Sequence, residues 1–509
     1  MSEGAAAAAS DDDELRALAK GGRLNFYGFL LRLIARIPFL FIAGRAYGPE
    51  LLGRFAYAVL VVEFAAQLST LGLKRGLAQA LATADRPHDH VVWDALGAAF
   101  VVSLAVAALL IAVPTPMFPT SEINGVERLL PLVIPAIALT DIALAALAYR
   151  GDIATTVRAR SIVEPWTISI AAGVLIWLSS RDGLIIAYVL SMAAALVVAA
   201  VPLWRAYGRP KGWRPRPAPL LQLARQNAPL AGADAADWLS RRLDIAILGL
   251  FLQPAVVGVY YVAQQVATLA QKLKTSFDPV LGPAIARHLA EGDRQAVAAE
   301  VRQVGFWVLA AQAAVALALA IPGEAVLGLV GAEFIGGTAI LAVLLAAEVA
   351  AATGAVTEAA LVYLARKRNL LISAAMLCFQ AALTLAALLA ARTLPWPENW
   401  QAVGPALVLL LVLAAASIAR AWLLGRLLGA PVSGWRPALL PAAAAAVVVG
   451  FVATRVPEWL ELVVGIPAIL GAFGWLIWTR GFTPADRLLF KRARPDPEPY
   501  APPSVVHSP

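Results

Sequence analysis

One cysteine in 509 residues leaves no intrachain disulfide to form, and Cys378 has no second thiol with which to build a cysteine metal site. Histidine is nearly as scarce. His88, His90, His288 and His507 are the four present, and only the first two are close along the chain. No metal and no cofactor is expected. Charged residues make up 15% of the chain, well below the roughly 25% of a typical soluble domain. No nucleotide-binding motif and no clustered acidic pair is visible. The start, MSEGAAAAASDDDELRALAK, is acidic before it is apolar. It therefore lacks the basic region and adjoining apolar core of a secretory signal, and reads as a tail over residues 1–22.

What the chain has is apolar length. It is 60% hydrophobic, with a mean hydropathy of +0.74. The excess lies in blocks of roughly 20 residues, enough to cross about 30 Å of hydrocarbon as helix. In lipid every backbone group must be satisfied within the protein, so such blocks are helices. The short alternating segments of a membrane barrel are missing. The expected fold is an all-α polytopic membrane protein with about fourteen transmembrane helices. Six fall in an N-lobe, residues 23–205, starting with Leu24–Tyr47 and Leu52–Leu71. A basic, Pro-rich linker follows at 206–219. Six more fall in a C-lobe, 220–430, where Leu220–Leu230 and Ala233–Leu252 read as one broken span. Two further helices occupy 431–480, and residues 481–509 read as a disordered tail.

Charge distribution sets the expected topology. The formal net charge is +8, and most of the Lys and Arg fall in alternate loops. Lys74, Arg75, Arg86, Arg150, Arg158, Arg160 and the linker cations share one side with both termini. Cytoplasmic loops carry such an excess. Both ends are expected in the cytoplasm, with the protein in a bacterial inner membrane. No loop on the opposite side is long enough to be a folded domain. Nucleic acid is not an expected partner.

An internal repeat links the two halves. Gly44, Pro49, Gly53 and Phe55 align with Gly249, Pro254, Gly258 and Tyr260 at a constant offset of 205, and the same offset places Arg36 on Arg241. Both lobes start on the same side, which implies parallel halves around a central cavity, a known transporter plan.

The run Gly44–Ala58 (GRAYGPELLGRFAYA) and the close of the second span, Gly72–Ala82, resemble the Wzx-like polysaccharide and lipid-linked oligosaccharide flippases of the multidrug/oligosaccharidyl-lipid/polysaccharide (MOP) exporter superfamily. So do RRLDIAILG at Arg241–Gly249 and VGVYYVAQQ at Val257–Gln265. The resemblance extends from about Leu24 to Leu428. It implies two helical bundles, alternating access, no enzymatic activity, and a polyprenyl-pyrophosphate-linked glycan as cargo. A polymerase and export machinery are the implied partners.

The charges inside apolar blocks then gain a purpose. Ionisable groups cost roughly 2.5–3.5 kcal/mol each at the centre of a span. Arg32, Arg36, Arg241, Arg242, Lys272 and Lys274 lie in the first, seventh and eighth spans. They are candidates to line a cavity for pyrophosphate, whose oxygens suit the guanidinium fork. Asp237, Arg241 and Asp244 fall on one face if the helix is continuous, so the two acids are candidate salt-bridge partners. An internal salt-bridge set with snorkelling end residues is the competing reading. Glu63, Asp141 and Glu164 are candidates for ion coupling, with Glu348 and Glu358 behind them.

Three rival functions stay open. A cation-coupled multidrug exporter should carry an acid in its first span, where this chain has Arg. A lipid II flippase matches the span count. A membrane-embedded polysaccharide polymerase or ligase needs a large outer loop, which is missing.

Overall fold

The chain first turns back on itself at Gly48–Pro49. Gly48 has φ +74°, a conformation open to glycine at little cost, and the following proline has no N–H to carry a helical ladder onward. Residues 37–47 (α1) and 49–69 (α2) are helical on either side. They lie against each other, with the Phe39 and Phe55 rings 6.0 Å apart. The computed structural model describes residues 37–123, 125–210, 212–213, 217–272, 287–289, 291–393 and 397–484, with 281, 285 and 486. Among these residues the regular structure is entirely helical.

The N-lobe continues with the short amphipathic α3 (Leu73–Ala82) and the long α4 (His88–Ala112). A 3-10 turn leads into α5 (Val133–Tyr149). Next comes α6 (Ile153–Val157), started by Asp152, whose carboxylate accepts from the Thr155 N–H. A π-helical turn, Arg158–Val163, joins it to α7 (Glu164–Leu175), and α8 (Gly183–Tyr207) closes the lobe. The π turn has a local cause. Pro165 cannot donate to the carbonyl of residue 161, and the ladder slips there. The same pairing recurs near the C-terminus, where a π turn at Glu461–Gly465 precedes Pro467 in α17 (Ile466–Leu476).

The second half contains α9 (Pro217–Ser240), α10 (Leu243–Phe251), α11 (Pro254–Lys272) and α12 (Arg294–Ala320). It goes on through α13 (Thr338–Leu364), α14 (Arg366–Ala391), α15 (Val403–Leu428) and α16 (Leu439–Ala453). Nine helical stretches among the described residues are long and apolar enough to cross a bilayer by themselves. Others that read as spans are divided. The seventh is broken at Arg241–Arg242, not at the Gly232 expected from the sequence. The eighth leaves the described residues after Lys272.

The repeat is visible as a symmetric crossing. A Cβ placed on Gly53 would come within 1.8 Å of the Pro254 oxygen, and one on Gly258 within 2.0 Å of the Pro49 oxygen. These four residues are two repeat-equivalent pairs. Each contacts the other's partner, as an approximate two-fold axis requires. The lobes thus touch backbone to backbone at the end of the molecule carrying Gly48–Pro49, here termed the turn end. Side chains of both halves merge there into one core that includes Leu52, Phe55, Leu248, Val257 and Tyr260.

At the opposite, linker end, α9 opens the second half in sequence yet packs on the first. Leu223 is buried in a core with Leu73, Leu77, Leu81 and Val92. Arg75 pairs with Asp234 at 2.9 Å. The linker is docked as well. The Trp213 indole donates to Asp94 at 2.9 Å and the Trp93 indole to the Gly208 carbonyl at 3.1 Å.

Past the last helix, Asp486 is fully buried. It pairs with Arg436 at 2.6 Å and accepts from Thr483, Gln303 and Trp307. Burial works to raise its pKa. The Arg436 and Thr483 hydrogen bonds outweigh this and hold the carboxyl far below its usual range. A depressed carboxyl pKa contributes stability that is present above the unfolded value, about 3.9, and lost as pH falls towards the folded one. Asp486→Ala is expected to cost about 3 kcal/mol at pH 7, the usual loss on stranding a buried partner charge. The deficit in detergent melting temperature should stay constant from pH 8 to 5 and narrow only below about pH 4. A deficit that varies between pH 8 and 5 would contradict this.

Candidate functional site

The break in the seventh span organises the site. Helix α9 ends at Ser240, Arg241 and Arg242 form a turn, and α10 starts at Leu243. A break leaves carbonyls of one helix end and N–H groups of the next without ladder partners. Two cations sit at the C-terminal end of α9, and Asp244 lies in the first turn of α10. Each sign matches the dipole end beside it.

The break also changes how the charges face. Arg241 and Asp244 do not share the face expected of a continuous helix, because the turn separates them. The Asp244 carboxylate is buried and accepts from the Tyr260 hydroxyl at 2.7 Å and from the Gln264 amide at 2.9 Å. Arg241 is exposed at the break. Asp237 belongs to α9, and Lys272 is the last residue of α11. Arg32, Arg36 and Lys274 lie outside the described residues.

Arg242 reaches across to the N-lobe. Its guanidinium lies 4.4 Å over the Trp238 ring and 3.6 Å from Glu63 of α2. Trp238 packs against Phe64 at 5.5 Å. The other Glu63 oxygen accepts from the Tyr188 hydroxyl at 3.2 Å. Arg242 is about 14 Å from the turn end of α10, counted at 1.5 Å per residue, so this inter-lobe pair sits deep within the apolar thickness.

A second charged group lies nearer the linker end. Arg160, on the π turn, gives one amino group to Glu164 at 2.7 Å and the other to Asp141 of α5. Lys74 of α3 reaches the second Asp141 oxygen at 3.1 Å. The Arg160 side chain is 17% exposed and that of Asp141 10%, whereas Lys74 is 48% exposed. Tyr188 links the two groups, since it bonds Glu63 and lies within electrostatic reach of Glu164 and Arg160.

Glu63, Asp141 and Glu164 are thus brought into one system, each beside a cation. Glu348 and Glu358 are elsewhere: Gln271 donates to Glu348, and Glu358 pairs with Arg420. Arg160 and Lys74 were expected in a topology-setting loop. They are instead ion-paired to Asp141, Arg160 largely enclosed and Lys74 half-exposed, and only Pro165 four residues after Ser161 hinted that the helix there is irregular. Three carboxylates face the three cations Lys74, Arg160 and Arg242, so the network is balanced as it stands.

Two helical bundles joined at one end, with a broken span and ion pairs between them, define a polytopic helical membrane protein. The chain belongs to the polysaccharide biosynthesis protein family, whose profile matches residues 19–288. No curated protein matches it. The fold is similar to that of the lipid II flippase MurJ in its inward closed conformation, with a TM-score of 0.65 at 11% identity over 91% of this chain and 99% of that one. It is also similar to an inward-facing multidrug resistance MATE family transporter of the MOP superfamily. There the TM-score is 0.62 at 13% identity, over 78% of this chain and 94% of that one. The MOP fold expected from the sequence is therefore the fold observed.

Proposed function

We propose that the protein is a flippase that moves an undecaprenyl-pyrophosphate-linked oligosaccharide from the cytoplasmic to the outer leaflet of a bacterial inner membrane. The movement is by alternating access and serves polysaccharide biosynthesis. Both termini and the linker end face the cytoplasm, in keeping with the Lys and Arg bias of the loops. The observation that carries this reading is the broken seventh span. It carries Arg241 and Arg242, and Arg242 rests on an acid of the opposite lobe.

A pyrophosphate carries two or more negative charges and cannot cross hydrocarbon without counter-charge. Arg241 and Arg242 supply it, and the sequence repeat makes Arg36 a further candidate, as are Arg32, Lys272 and Lys274. When phosphate arrives, Glu63 exchanges away from Arg242. Asp237 and Asp244 balance the break while it is empty. A cationic drug would be repelled by the same residues, which argues against the multidrug exporter. Glu63, Asp141 and Glu164 are the groups through which an ion gradient would act.

Lipid II carries the same pyrophosphate, and likeness to a lipid II flippase over nearly the whole chain keeps that cargo as a second reading. Complementation separates the two. The gene is introduced into one strain lacking its polysaccharide-unit flippase and another depleted of its lipid II flippase. Rescue of the first alone is expected. Arg241→Ala and Arg242→Ala are each expected to abolish rescue at normal protein levels, and full activity in both would sink the cationic-site reading.

A further inference from the structure

Lys74 and Arg160 have no role in the site at the break, yet Arg160 is the best-enclosed cation of the network. We propose that Lys74, Arg160 and Asp141 form a separate entry station for the pyrophosphate group, nearer the linker end and occupied before Arg242. The proposal rests on the flippase reading above.

Three observations carry it. The first is the geometry of Arg160. Its two amino groups bond carboxylates from two different helices, so the fork is set to hold two oxygens at once, as a phosphate presents them. The second is that Asp141 takes both Arg160 and Lys74. A pair needed only for packing requires one partner, and apolar residues of similar volume would serve stability about as well. The third is order along the membrane normal. Lys74 is half-exposed just beyond the end of α2. Arg160 is seven residues, about 10 Å, into the helical run from Ile153. Contacts through Tyr188 then lead to Glu63 and Arg242.

A phosphate entering from the linker end meets Lys74 first. It replaces Asp141 on Lys74 and Arg160, and the displaced carboxylate takes up a proton, so that neither a bare cation nor a bare anion is left in the apolar interior. Because Asp141 competes throughout, the hold stays weak enough for the headgroup to pass on. Asp141 is in this view a release element, and the energy of the empty site is stored in its two ion pairs.

The test uses the full chain in nanodiscs, with undecaprenyl pyrophosphate and inorganic pyrophosphate as probes. Asp141→Asn removes the competitor. It is expected to bind the lipid roughly tenfold tighter, the effect of losing about 1.4 kcal/mol of competition, while translocation slows. A merely structural aspartate would weaken binding or leave it unchanged when replaced, and either result in a folded variant overturns the station. Should Asp141→Asn fail to fold, Lys74→Gln serves, since Asp141 keeps Arg160. At least fivefold weaker lipid binding is expected there, and unchanged affinity overturns the proposal. Binding of inorganic pyrophosphate with no binding of undecaprenyl pyrophosphate also overturns it. Failure of the wild-type chain to bind either probe removes the flippase reading itself, a separate outcome.

Discussion

Gly258→Ala is expected to open the protein at the turn end. The added Cβ would lie 2.0 Å from the Pro49 oxygen and 3.0 Å from the Gly53 nitrogen, both backbone atoms. A flexible side chain can rotate away from such an intrusion. A helix backbone held in a packed core cannot, so the lobes must separate by more than an ångström. Gly53→Ala meets the Pro254 oxygen at 1.8 Å and should act the same way. Gly249→Ala is the control, because its Cβ would meet the Tyr57 ring, a side chain able to shift. The readout is a cysteine at Ala255, beside the cavity of about 960 Å³ at the turn end. Its labelling by a membrane-impermeant maleimide should accelerate at least about tenfold in Gly258→Ala. That factor corresponds to a population shift of about 1.4 kcal/mol. Gly249→Ala should label within a few-fold of wild type. Equal labelling in all three would show that this crossing does not hold the lobes together.

Arg160→Ala is expected to be the most destabilising single change in the charge network. It strands Glu164 wholly and leaves Asp141 with Lys74 alone. Removing one partner of a buried ion pair costs about 3–5 kcal/mol, and here two carboxylates lose the same partner. The detergent melting temperature should fall by about ten degrees, at roughly 2–4 °C per kcal/mol. Neutralising the stranded groups as well, in Arg160→Ala/Asp141→Asn/Glu164→Gln, should recover most of that loss without restoring translocation. If the single variant melts with wild type, the three residues do not share one energetic unit.

These outcomes bear on how much of the protein could be read before folding it. The repeat was legible because its markers are residues with a backbone reason to be there. Gly48 must reach positive φ, and Gly53 and Gly258 must let two backbones meet, so side chains are excluded at fixed spacing. Membrane length and loop charge were legible too, since solvent imposes both on any chain that crosses lipid. Arg160 was not. A basic residue near a span end satisfies the loop-charge pattern whether it faces water or an aspartate on another helix. Lys74 was missed for the same reason.

The break in the seventh span shows where the limit falls. The sequence places it between Leu230 and Ala233, at Gly232. The helix runs through Gly232, since one glycine costs only about 1 kcal/mol and the packing of α9 on the N-lobe outweighs it. It stops at the two arginines, where Arg242 turns out to Glu63 and Asp244 turns in to Tyr260.

By itself the sequence determined that this is a helical membrane protein of two related halves, because hydrocarbon demands apolar length and satisfied backbones whatever the fold. It also determined that cations lie within the apolar blocks, an expense that marks them out. Which acid each cation meets was decided only by the tertiary structure. Glu63, Asp141, Arg160 and Arg242 come from four separate segments of the chain, and pairing at that range depends on how helices stack, which no local spacing encodes.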